Sequence, residues 1–117
     1  MWHKQQSTLL TDFDWQQLRQ LAGGDTEFET ELLNIFLVDA EASLRQLEQA
    51  IASKSIEAIE DIAHSLRGAS ANVGAKSLAD VALQLEQTAR NGEMTDARTL
   101  LQQMNAHCQS IQTHVQS

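Results

Sequence analysis

No proline interrupts the 117 residues of this chain, and its apolar residues recur at spacings of three and four over most of the length. That spacing keeps side chains on one face of a 3.6-residue helix. Proline is the strongest helix breaker, so a sequence that lacks it and keeps this period has few alternatives to an all-α fold. Tyrosine is absent too, while alanine, leucine and glutamine are plentiful, a balance that favours helix over strand.

The breaks in the period define the elements. From Asp12 to Ala22, the positions Phe13 or Trp15, Leu18 and Leu21 predict a short amphipathic helix, closed by Gly23-Gly24, residues suited to left-handed caps. Thr26 followed by Glu29 reads as a capping box. It opens a long helix whose apolar set is Phe28, Leu32, Leu33, Ile35, Phe36, Ala40, Leu44, Leu47 and Ile51, with its aromatic residues expected in the core. Ser53-Lys54-Ser55 supplies a turn and an N-cap. Ile56, Ile59, Ala63, Leu66, Ser70 and Val73 form the seam of the next helix, and Gly74 its C-terminal cap. Leu78, Val81, Ala82, Leu85 and Ala89 resume the period up to a turn at Asn91-Gly92, after which Met94, Ala97, Leu101, Met104, Cys108, Ile111 and Val115 carry it to the end.

Short connections force sequential helices to run in opposite directions. The expected architecture is therefore an antiparallel up-down-up-down four-helix bundle with a short N-terminal capping helix. Residues 1–10 read as a flexible tail and residues 11–117 as one domain, a size that supports a single core. The seams leave no unpaired apolar stripe, which predicts a monomer.

Net charge is −8, which disfavours nucleic acid as a ligand, because phosphate backbones recruit clustered Lys and Arg. The acid surplus is uneven. Residues 1–52 hold nine acidic residues against three basic ones, whereas residues 53–92 hold five against four and are nearly neutral. No apolar run is long enough to span a bilayer, the N-terminus lacks the order of a signal peptide, and a single cysteine, Cys108, excludes an internal disulfide. A cytoplasmic protein without membrane insertion is expected.

Within the near-neutral segment lies the run Ala63-His64-Ser65-Leu66-Arg67-Gly68. His64 sits one residue off the buried seam, at the boundary between core and solvent. Arg67 at i+3 can reach the ring, and Gly68 and Ala71 leave the same stripe without bulk. Glycine inside a helix costs roughly 1 kcal/mol relative to alanine, so clearance beside the histidine is worth more there than helix stability. Glu60 and Asp61, one turn earlier, are placed to hydrogen-bond the ring and fix its tautomer; plain solvated charge is the alternative reading of either, and the favoured one for Asp61. No P-loop or glycine-rich phosphate cradle is present, so the chain is not expected to use ATP as a kinase would. His107 and His114, seven apart, offer two metal ligands without a third. What remains is an imidazole acting as a nucleophile near neutral pH.

The stretch from Ala63 through Gly68, continued by Ala69-Ser70-Ala71-Asn72-Val73-Gly74-Ala75, resembles the signature of histidine-containing phosphotransfer (HPt) domains, with Leu78 and Glu86 also at positions where that family places similar residues. The resemblance implies that His64 accepts a phosphoryl group from a receiver-domain aspartate and passes it to another receiver. Arg67 would stand near the phosphoryl oxygens, where many relatives carry lysine, and Gly68 would give clearance. It also implies response-regulator receiver domains and a hybrid sensor histidine kinase as partners. The chain would carry no cofactor of its own, Mg2+ arriving with the receiver. The chain would then be a free-standing carrier or the C-terminal module of a hybrid kinase. Two other readings stay open: a helical adaptor that binds a receiver or kinase without being phosphorylated, and a metal-binding bundle using His107 and His114.

Overall fold

Each glycine or polar break in the period becomes a helix end. The computed structural model describes residues 13–116 as five helices: α1 (Trp15–Leu21), α2 (Thr26–Ala52), α3 (Ile56–Val73), α4 (Lys76–Arg90) and α5 (Ala97–Gln116). The tail expected at residues 1–10 lies outside the described residues. The four long helices close a ring in which α2 packs beside α3 and α5, and α4 beside α3 and α5. The bundle expected from the short connections is the one observed.

Its core is continuous, running from Phe13 and Leu18 through Leu47, Ile59, Leu85 and Met104 to Ile111. Ala63 on α3 and Ala82 and Ala89 on α4 are fully buried. Such small side chains suit close helix packing, and α3 and α4 share the most extensive interface. Cys108 is buried as its place in the seam predicts; burial, reinforced by Glu41, pushes its thiol up to about 12, so it stays protonated at neutral pH.

Several local expectations are corrected. The N-cap of α2 is Asp25, whose carboxylate accepts from the amides of Glu27 and Phe28, while Thr26 is already helical; an Asp cap competes well with a Thr cap. The described part of the short helix starts at Trp15, with Asp14 as its N-cap. On α2, only Phe36 of the aromatic residues is buried: Phe28 is exposed, as are Ile35 at 59 % and Val38 at 67 %. The buried face of α2 is set by Leu33, Phe36, Leu37, Ala40, Leu44 and Leu47. Ile35 and Val38 fall about 100° or more from the centre of that arc, so the helix does carry an exposed apolar stripe. Ile56, counted in the α3 seam, is likewise exposed at the first turn.

α1 is a clamp on the far end of α3. The Asp14 amide donates to the Gly74 carbonyl at 2.8 Å, and Phe13 and Ala75 form an isolated antiparallel bridge. The Gln17 side-chain amide donates to the carbonyls of Ala71 at 2.7 Å and Asn72 at 3.0 Å. The last carbonyls of a helix lack partners within it, and here a glutamine from another helix supplies them. Gly74 is left-handed, with φ +95°, and a Cβ there would lie 2.5 Å from the Asp14 carbonyl oxygen. Only glycine fits both the backbone and the clamp.

Candidate functional site

The α3 seam buries Ile59, Ala63, Leu66 and Ser70. One residue on, a rotation of about 100° carries the His64 side chain to the rim, where it is 62 % exposed. The Nδ1 edge faces the protein. It lies 2.9 Å from Oε2 of Glu86 on α4 and 3.0 Å from Nη2 of Arg67. Among the described residues nothing engages Nε2, the other ring nitrogen.

Glu86 organises the site. Its side chain is only 5 % exposed, and both oxygens are used: Oε1 accepts from Arg67 Nε at 2.8 Å, and Oε2 is also 3.1 Å from Arg90 Nη2. Burial pushes this carboxyl up, but hydrogen bonds and charge from Arg67 and His64 outweigh it and hold the group below the usual carboxylate range. A buried carboxylate needs such compensation. Arg90 in turn donates to Glu60 at 2.7 Å, so α3 and α4 are cross-braced by charge on either side of the imidazole.

Asp61 is exposed, as solvated charge would be, but the expectation that an acid one turn earlier orients the ring is corrected: Glu60 is taken by Arg90, and the acid at the ring comes from the neighbouring helix, 22 positions away. The signal for it was an acidic residue inside the apolar seam of α4, flanked by the fully buried Leu85 and Ala82. Gly68 is placed as its spacing predicts, with no atom within 4 Å of an added Cβ. Arg67 is half-buried against Glu86 and the ring, and does not extend freely into solvent. His114 packs against Trp15 with ring centroids 4.4 Å apart, and His107 lines a small cleft with Phe13 and Lys76. The described residues contain no group of three or more His, Cys, Asp or Glu able to hold a metal, and no helix long and apolar enough to cross a membrane.

A depressed carboxyl makes a pH prediction. Because Glu86 binds its proton more weakly folded than unfolded, its contribution to stability is complete above the unfolded pKa of about 4.3 and is lost as pH falls through the lower folded value. Denaturant midpoints of wild type and Glu86→Gln should differ at neutral pH, and the gap should begin to narrow only once pH falls below the unfolded pKa of about 4.3. A constant gap across that range would show that the carboxylate charge is not what stabilises the site.

A four-helix bundle whose α3 presents a solvent-facing imidazole, buttressed by a buried carboxylate and bordered by bare helix, defines the class of histidine-bearing helical bundles. Residues 31–114 match the family model of the Hpt domain. The chain belongs to the Hpt-domain family. It is similar to histidine-containing phosphotransfer protein B (HptB) of Pseudomonas aeruginosa, with 31 % identity, a TM-score of 0.83, and 90 % of this chain and 91 % of that one covered. A histidine-containing phosphotransfer protein from rice shares the fold at 21 % identity and a TM-score of 0.77, over 97 % and 91 % of the two chains. The phosphorelay protein LuxU of Vibrio vulnificus is 34 % identical over 65 residues. That match spans 56 % of this chain and 56 % of LuxU.

Proposed function

We propose that this chain is a phosphorelay intermediate whose His64 accepts a phosphoryl group from the aspartate of one receiver domain and yields it to another. The observation that carries the reading is the Glu86 contact to Nδ1 on a ring whose Nε2 faces out. A carboxylate acceptor favours the proton on Nδ1, and the lone pair then resides on Nε2. That lone pair forms the N–P bond, the P–O bond to the aspartyl carboxylate breaks, and its electron pair leaves with the carboxylate. The proton stays on Nδ1, where Glu86 offsets the positive charge that develops on the ring. Transfer of this kind needs positioning and charge neutralisation more than covalent machinery. Both oxygens of Glu86 are already engaged by cations or the ring, and the receiver is the expected source of Mg2+. The similarity to HptB and LuxU supports the same assignment.

Incubation with a phosphorylated receiver should place on this chain a phosphate that is stable in base and lost in acid. Absence of such label, or a label stable to acid, would overturn the reading.

Gly68 gives a sharper geometric test. A side chain there meets nothing within 4 Å in the free protein, so Gly68→Gln should fold, with stability unchanged or raised by up to about 1 kcal/mol. One turn from His64, however, its amide would occupy the approach path of the receiver. Transfer to this variant should slow by roughly a hundredfold, measured as single-turnover label from the same receiver. A wild-type rate would show that the bare helix face has no part in docking.

A further inference from the structure

His64 Nδ1 has two neighbours that make opposite demands on it. Glu86 Oε2, at 2.9 Å, can only accept a hydrogen bond, and so calls for a proton on Nδ1. Arg67 Nη2, at 3.0 Å, can only donate, and so calls for a lone pair there. Both demands cannot be met by one neutral ring. The first tautomer leaves Nε2 nucleophilic; the second puts the proton on Nε2 and removes the lone pair that would attack phosphorus.

The surroundings keep this contest balanced. Arg67 is fixed at Nδ1 by its own Nε, which donates to Glu86 Oε1 at 2.8 Å, so one guanidinium forks across the carboxylate and the imidazole. A planar fork can do this, whereas a lysine ammonium on a flexible stem donates from a single point. On the other side, Arg90 Nη2 donates to the same Oε2 that would receive the Nδ1 proton, which reduces the basicity of that oxygen towards the ring.

We propose that Arg67 is a positioning residue that sets the tautomer of His64, holding part of the resting population in the unreactive Nε2–H form. The inference rests on the phosphorelay reading above. Arrival of a dianionic phosphoryl group supplies a stronger acceptor for the guanidinium than a neutral imidazole nitrogen. Arg67 then turns outward, Nδ1 takes up a proton from solvent on the edge facing Glu86 while the exposed Nε2 gives its proton up to solvent, and Nε2, its lone pair restored, becomes the nucleophile. Arg67 thus couples ring reactivity to the presence of the group to be transferred.

The test reads the ring nitrogens directly. In the full chain labelled with 15N-histidine and held at about pH 8, above the ordinary imidazole range, two-bond 1H–15N correlations report the Nδ1 and Nε2 shifts of His64. Wild type should give values between those of the two pure tautomers. Arg67→Lys should move Nδ1 towards the protonated value and Nε2 towards the unprotonated one, a change in the tautomer ratio of roughly fivefold or more. Arg67→Met, which keeps an apolar stem and removes every donor, should move them the same way. It also serves as the second variant should the lysine form fail to fold by circular dichroism. Shifts in wild type already at the pure Nδ1–H values, or unchanged in both variants, would overturn the inference. Label transferred from a phosphorylated receiver to wild type is scored separately. Normal label with unmoved nitrogen shifts defeats this inference alone, whereas absent label defeats the phosphorelay reading and with it the release step.

Discussion

His64→Gln is expected to fold as wild type does and to take up no phosphoryl group from any receiver. The ring is largely exposed and contributes little burial, but it is hydrogen-bonded to the buried Glu86 carboxylate, so its loss should cost no more than about 1.5 kcal/mol. Glutamine even keeps an amide donor for Glu86. What it lacks is a ring nitrogen with a lone pair, and an amide nitrogen is not a nucleophile at neutral pH. The expected effect is therefore a fall in label below detection with the helical circular dichroism spectrum retained and Tm lowered by no more than several degrees. The other three histidines of the chain serve as internal controls. Label that persists on His64→Gln would place the acceptor elsewhere and remove the exposed α3 imidazole from the mechanism.

The second large effect falls on stability, at Gly74. Replacing it by alanine forces an L side chain into a left-handed backbone with φ +95°, and sets its Cβ against the Asp14 carbonyl oxygen. Strain of the first kind costs on the order of 1–3 kcal/mol, and the clash must break the Asp14–Gly74 hydrogen bond or shift α1. A total loss of about 2–4 kcal/mol is expected. For a domain of this length that lowers Tm by roughly 10–20 °C. Thermal unfolding followed at 222 nm reads it, and a Tm within about 2 °C of wild type would show that the joint is not structurally demanding. Phosphoryl transfer at low temperature should survive in Gly74→Ala, because the His64–Glu86–Arg67 cluster lies further along α3 and α4 and shares none of its hydrogen bonds with the clamp. Chemistry and folding are thus separable in two variants of one helix and its cap.

The bundle was legible because its cause is local. A strict three-four period with glycine or polar breaks fixes where each helix runs and which face it buries, and short connections fix the order of neighbours. His64, Arg67 and Gly68 were legible for the same reason: they lie within one turn and a half of each other, and helical geometry alone relates them. The ring's acid partner depends instead on how α4 lies against α3. Glu60 and Asp61 share a helix with His64 and fitted the local rule, yet the rotation of α3 gives Glu60 to Arg90 and leaves the imidazole to Glu86. The α2 stripe failed in a different way. Its apolar residues are dense enough to cover more than half the circumference, and periodicity does not tell which of them the neighbouring helices will cover; Ile35 and Val38 are the ones left outside.

The clamp joining residues 13–14 to residues 74–75 is contributed by a seven-residue helix with one buried member, Leu18. An element with so little apolar anchorage belongs to the low end of a protein's range of local opening energies. Its amides should exchange with deuterated solvent well before those of α4, whose face is buried against two neighbours. When it lifts, it bares the terminal carbonyls of α3 while the charged braces around the imidazole stay closed, so this domain can breathe at one end without ever dismantling its reactive centre.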